Sequence, residues 1–90
     1  MFKFEISTQF KKDFKSLSES DEKKIETALG ILAETGTLPF DQYLTHKLKG
    51  KYKDHWEAHV RPDLLVIWFE IQDDTIKLVR VGSHSKLYRQ

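Results

Sequence analysis

His55, Glu57 and His59 occupy alternate positions in the segment HWEAHVRPD, Asp63 closes it, and His46 and His84 stand in the segments before and after. Imidazoles titrate near neutrality and carboxylates accept protons, so these residue types together can do acid/base chemistry or ligate a metal. HWEAH differs from the zinc pattern HExxH, which needs both histidines on one face of a helix. Here the alternation is that of a strand, and at about 3.3 Å per residue His55 and His59 stand roughly 13 Å apart, too far to share one ion. A site without metal or cofactor is the expectation. The chain has no GxSxG context for a serine nucleophile, no glycine-rich phosphate cradle, and no cysteine for thiol chemistry or disulfides.

Cleavage of RNA suits such a set. Attack of a ribose 2′-OH on its own 3′ phosphate needs a base, an acid and cations around the phosphoryl group. Lys47, Lys49, Lys51, Lys53 and Arg61 surround the histidines, and Lys77, Arg80, Lys86 and Arg89 fall in the last fifteen residues without an acidic neighbour. The formal net charge of +1 hides this distribution: residues 46–61 carry +3 and 76–90 carry +4, against −3 over 18–35 and −4 over 62–75. A near-neutral total therefore does not argue against an RNA partner. Tyr88, among the terminal cations, is a candidate to stack on a base. The plainer alternative is a solvated sheet face with scattered histidines, and for Tyr88 simple packing on the sheet.

Several elements must position these groups. At 90 residues, 39% hydrophobic and 32% charged, the chain supports one domain, 1–90, with a small core. No apolar run approaches a signal h-region or the roughly 20 residues of a membrane span, so a soluble cytoplasmic protein without a membrane partner is expected. Phe2, Phe4 and Ile6 alternate with Lys3 and Glu5 as a strand. Ser7 or Thr8 opens a short helix bearing Phe10, Phe14 and Leu17, and a second helix carries Ile25, Ala28, Leu29, Leu32 and Ala33 until Gly36. Residues 36–51 read as a connecting loop. From Tyr52 a strand places Tyr52, Trp56, Ala58 and Val60 on one face and Lys53, His55, Glu57, His59 and Arg61 on the other. The run LLVIWFEI (64–71) reads as a central strand and Thr75–Val81 as the last, followed by a short tail. The predicted fold is α+β, β-α-α-β-β-β, an antiparallel meander packed against an N-terminal helical hairpin.

Three ordered motifs, His46-Lys47-Leu48-Lys49-Gly50, Ala58-His59-Val60-Arg61-Pro62-Asp63 and Arg80-Val81-Gly82-Ser83-His84, resemble the YafQ branch of the RelE-like bacterial toxins. The resemblance covers essentially the whole chain. It implies a toxin of a type II toxin-antitoxin system, a ribosome-dependent endoribonuclease acting on translated mRNA and paired with a cognate antitoxin. It also implies catalytic positions at His46, His59, Asp63 and His84. Glu57 falls where that branch usually has aspartate, and Tyr88 at a C-terminal aromatic position where relatives carry phenylalanine. Lys49, Lys51 and Arg80 are the expected stabilisers of the phosphoryl transition state. The competing classes are a protein of the same fold that only binds RNA or ribosomes, and an adaptor that merely pairs with an antitoxin.

Overall fold

In the computed structural model, which describes residues 1–88, the N-terminal alternation forms β1 (Lys3–Ile6). Ser7 ends it and caps α1 (Thr8–Lys15): its hydroxyl oxygen accepts the Phe10 N–H at 2.9 Å, and its O–H donates to the Val79 carbonyl at 2.9 Å. A side-chain oxygen here satisfies one of the free N–H groups of the first turn. Ser18 repeats the device for α2 (Glu19–Thr35), accepting the Asp21 N–H at 3.1 Å. Glu19, Asp21 and Glu22 then complement the positive end of the helix. Gly36 closes α2 at φ 82°, a left-handed conformation, with the Phe2 ring where a side chain would stand.

The segment expected to be a loop is more structured than its sequence suggests. It holds a one-turn helix α3 (Phe40–Tyr43), a short strand β2 (His46–Lys47) and a 3₁₀ turn (Gly50–Tyr52). The next strand, β3 (Trp56–Arg61), starts later than Tyr52 because the turn buries Tyr52 and Asp54 takes a left-handed φ of 68°. His55 thus lies outside the strand. β4 (Leu64–Gln72) and β5 (Thr75–Gly82) follow as expected, and the tail forms α4 (His84–Tyr88).

The α+β architecture has the expected antiparallel meander β3-β4-β5, extended at both edges into a five-stranded sheet of order β1-β5-β4-β3-β2. β2 joins antiparallel to β3, whereas β1 runs parallel to β5, a pairing that the helical crossover permits. One face of the sheet carries the main core. Leu64, Val66, Trp68, Ile76, Leu78 and Val81 meet Phe10, Ile25, Ala28 and Leu32 from the helices. The other face has only a small apolar cluster, Tyr52, Leu65, Ile67 and Leu87, under α4.

Of the three register shifts in the meander, two alter which face an arginine joins. Between His59 and Arg61, Val60 is extra, so Arg61 stands opposite Leu64 on the helix side. Between Leu78 and Arg80, Val79 is extra, so Arg80 stands opposite Ile67 on the other side. A bulge adds one residue to one strand and so changes the alternation beyond it.

Candidate active site

The register assembles the site. His46 on β2 is paired with Glu57 on β3, Glu57 with Ile67 on β4, and Ile67 with Arg80 on β5. Residues directly opposite one another share a face, so this row crosses four strands on the open side of the sheet. His59, two residues from Glu57, projects to the same face.

Glu57 is the centre of this arrangement and is only 3% exposed, although its alternation alone predicted a solvated position. Its Oε1 lies 3.3 Å from His46 Nε2 and 3.5 Å from His59 Nε2, and its Oε2 accepts a short hydrogen bond from the Tyr88 hydroxyl. α4 brings that tyrosine across the sheet. Burial, then the hydrogen bond to Glu57 and the charge of that carboxylate, hold the Tyr88 phenol above its ordinary pKa of 10.0, so it stays a donor at neutral pH.

Each histidine is oriented by its second nitrogen. His46 Nδ1 is 2.9 Å from the Leu44 carbonyl, which can only accept, so Nδ1 carries the proton of this contact and Nε2 faces Glu57. His84 Nδ1 lies 3.3 Å from Asp63 Oδ1, which also accepts the His84 backbone N–H at 3.0 Å. That backbone hydrogen bond, followed by the ring contact, overcomes a small cost of burial and holds the Asp63 carboxyl below its ordinary value. Gly82, at φ 152°, lets the chain turn from β5 into α4 with Lys86 and Leu87 close against it. The rings of His46, His59 and His84 form a line with centroid separations of 5.9 and 5.6 Å, and Tyr88 follows at 6.1 Å. His55 is elsewhere, packed on Phe69 at 4.6 Å with its Nδ1 on the Lys53 carbonyl.

His46, Glu57 and His59 also present three donor atoms within 4.8 Å of one another. The second imidazole of this set comes from β2, so the roughly 13 Å that two positions four apart on one strand impose does not keep these donors apart.

The expected cations divide into three groups. Lys49, Lys51 and Lys53 are exposed, and among the described residues they enter no ion pair; the Lys51 ammonium lies 5.5 Å from the Tyr52 ring centroid. Lys47 is opposite Trp56 and lies over its ring at 5.3 Å, on the helix side and away from His46. Arg61 is the clearest correction: the Val60 bulge turns it off the histidine face, and both oxygens of Asp21 on α2 accept from it at 2.9 and 2.8 Å. Arg80 and Lys86 both reach a carboxylate that the sequence reading missed, Asp13. Arg89 lies outside the described residues.

Asp13 is fully buried. Burial alone would raise its pKa, but hydrogen bonds from Arg80, Gln9 and the Val81 N–H, with the Arg80 charge, bring it below the ordinary 3.8. One sequence signal could have found it: Asp13 falls three residues after Phe10 and four before Leu17, an acid within the apolar stripe of α1. Tyr52 was read as a core strand residue. It instead lies beside Arg80, favouring the charged guanidinium, and packs edge-on against Tyr88 at 6.0 Å.

A small sheet with three histidines and two carboxylates on one open face, and helices closing the other, is shared with solved structures of RelE-type bacterial toxins. A metal-bound toxin from Helicobacter pylori superposes with a TM-score of 0.82 at 41% identity, covering 98% of this chain and 100% of that one. YafQ from Escherichia coli BL21(DE3) superposes at 0.80 with 31% identity, covering 98% and 99%. Residues 2–89 match the family described as "Bacterial toxin of type II toxin-antitoxin system, YafQ", and the chain belongs to that family. It is 32% identical over 87 residues to the mRNA interferase toxin YafQ of Escherichia coli K12, a match covering 93% of this chain and 92% of that protein. The resemblance drawn from the three sequence motifs is thus correct.

Proposed function

We propose that this toxin is an endoribonuclease that cuts translated mRNA on the ribosome by metal-free acid/base catalysis, in the cytoplasm, and that a cognate antitoxin restrains it. The observation that carries the reading is the line of His46, His59 and His84 on one open face, with Glu57 and Asp63 against it and free lysines at its edge. Relatives named mRNA interferase toxins and an Escherichia coli DinJ-YafQ complex, 30% identical at a TM-score of 0.71, support the substrate and the partner. In the described residues no helix is long and apolar enough to cross a membrane.

Asp63 holds Nδ1 of His84, leaving Nε2 to exchange a proton with the substrate. His84 or His59 gives a proton to the leaving 5′ oxygen, and a neighbouring carboxylate or histidine takes the proton of the 2′-OH. Glu57 compensates positive charge on His46 and His59 at the middle of the line. Lys49, Lys51 and Arg80 face the charge that grows on the phosphoryl oxygens. Removing a proton-transfer group costs about 10² to 10⁴ in rate, so His59→Ala and His84→Ala should each relieve growth inhibition and slow cleavage by that factor while remaining folded. Mapping transcript 5′ ends after induction, with and without active ribosomes, tests the reading directly. In-frame cuts within translated messages are expected; RNA binding without cuts would favour a non-catalytic binder, and neither would favour an adaptor.

A second reading has one specific support. Structures of metal-bound and copper-bound Helicobacter pylori toxins exist at 41% and 31% identity, and the donors of His46, Glu57 and His59 here fit a transition-metal ion. Such an ion, when bound, supplies Lewis acidity. The same imidazole lone pairs would then be unavailable for proton transfer, so chelator should leave cleavage intact and added copper should slow it. Loss of cleavage on chelation would instead favour a metal-dependent enzyme.

A further inference from the structure

We propose that Asp13 is a positioning residue for this site: from the far edge of the sheet it aims the Arg80 guanidinium along the histidine face and holds α4, with His84 and Tyr88, in place. The inference rests on the ribonuclease reading only in taking Arg80 as a cation for the phosphoryl group.

Burying a carboxylate costs several kcal/mol before its partners are counted, and an apolar residue of similar size commonly serves stability as well. Asp13 is buried completely on a helix whose other inward residues are Phe10 and Phe14, with Leu17 just beyond its end. Its contacts show what the charge accomplishes. β1 ends at Ile6, the partner of Leu78, so strand pairing along that edge of β5 stops before Val81. Asp13 Oδ2 takes the place of a strand there, accepting the Val81 N–H at 3.1 Å, and accepts Arg80 Nε at 2.7 Å. Oδ1 accepts from Arg80 Nη2 at 3.2 Å and from Gln9 Nε2 at 3.0 Å, and lies 3.7 Å from the Lys86 ammonium on α4.

The Val79 bulge is necessary to this geometry. Alternation from Ile76 and Leu78 would direct Arg80 into the helix-covered core, whereas the extra residue places it opposite Ile67 in the row containing Glu57 and His46. The bidentate hold fixes the planar guanidinium and leaves its other N–H donors directed away from Asp13. Tyr52 lies beside Arg80, where its hydroxyl favours the charged guanidinium, Tyr52 packs on Tyr88, and Tyr88 donates to Glu57. A continuous set of contacts therefore joins Asp13 to the carboxylate at the centre of the site. A role confined to stability would require only that the two charges cancel; this arrangement also fixes their direction.

The test separates these possibilities with the full chain, ribosomes programmed with a short message, and three variants. Asp13→Leu/Arg80→Met removes both charges together but leaves the Val81 N–H without its acceptor, so the variant should stay folded with a melting temperature lowered by roughly 5–20 °C, while its maximal cleavage rate falls by about 10² or more with little change in the ribosome concentration for half-saturation. Wild-type cleavage by this folded double variant would overturn the proposal. If it fails to fold, Arg80→Lys, which retains charge but loses the fork, serves instead; undiminished cleavage by Arg80→Lys would equally overturn it. Asp13→Asn is read by NMR of the imidazole rings without RNA. His84 signals should shift or broaden, and unchanged His84 signals would refute the hold on α4. If the wild-type protein cuts no RNA, the ribonuclease reading fails, and the NMR result still decides whether Asp13 positions α4.

Discussion

Asp13 and Glu57 are both buried carboxylates, yet their surroundings differ in kind. Asp13 sits at the β5 edge with a guanidinium, an amide, a backbone N–H and an ammonium, none of which changes charge near neutrality. Glu57 sits mid-sheet with two imidazoles, the side-chain type suited to proton exchange near neutrality, and a phenol that stays a donor. The difference teaches that burial by itself does not mark a reactive acid. The partners decide whether the carboxylate fixes a geometry or takes part in proton exchange.

This contrast can be broken by mutation, and the largest expected effect is on stability. Asp13→Ala leaves Arg80 partly buried without its counter-charge and should lower the free energy of unfolding, measured in urea, by about 3–5 kcal/mol. Glu57→Gln keeps an acceptor for the Tyr88 hydroxyl and should cost about 1–3 kcal/mol; equal losses at the two sites would erase the distinction. A pH titration sharpens it next. The folded pKa of Asp13 lies below the ordinary 3.8, so its contribution to stability is complete above that value and is lost as pH falls through the depressed one. Urea midpoints should therefore fall more steeply below about pH 4 in wild type than in Asp13→Leu/Arg80→Met, and parallel curves would contradict the shift. A smaller effect is expected from Tyr88→Phe. It removes one hydrogen bond, worth about 0.5–1.5 kcal/mol, and retains the ring; cleavage assays should show a decrease of less than about tenfold. A much larger decrease would make the hydroxyl, rather than the ring, the important part of Tyr88. The smallest change belongs to Arg61→Ala, whose exposed pair with Asp21 should leave both melting and cleavage unaltered within error.

The parts of the molecule that could be read from sequence are those governed by local periodicity. Ser7, Ser18 and Gly36 mark helix ends by chemistry that acts within a few residues, and the apolar run of β4 identifies a covered strand. Alternation also put Glu57 and His59 on one face. It could not show that Glu57 is buried, because its cover comes from α4 some thirty residues later. Nor could it find β2, where two residues are held by pairing with β3 rather than by their own preference. Asp13 was legible only as an anomaly in an apolar stripe, and its partner on β5 is 67 residues away. The parallel placement of β1 beside β5 is likewise a long-range choice, settled by how the helices pack.

The two bulges have a consequence for reading relatives of this toxin. In a strand, the parity of a residue number stands for a side of the sheet, and Val60 and Val79 each reverse that parity partway along. Arg61 thereby leaves the histidine side and Arg80 joins it, an exchange of two like-charged residues that leaves composition and net charge untouched. A relative could keep both arginines and, through the loss of one valine, present the wrong one to the substrate. Counting residues between motifs is thus as informative as matching the motifs themselves, since a gap of one is a change of side.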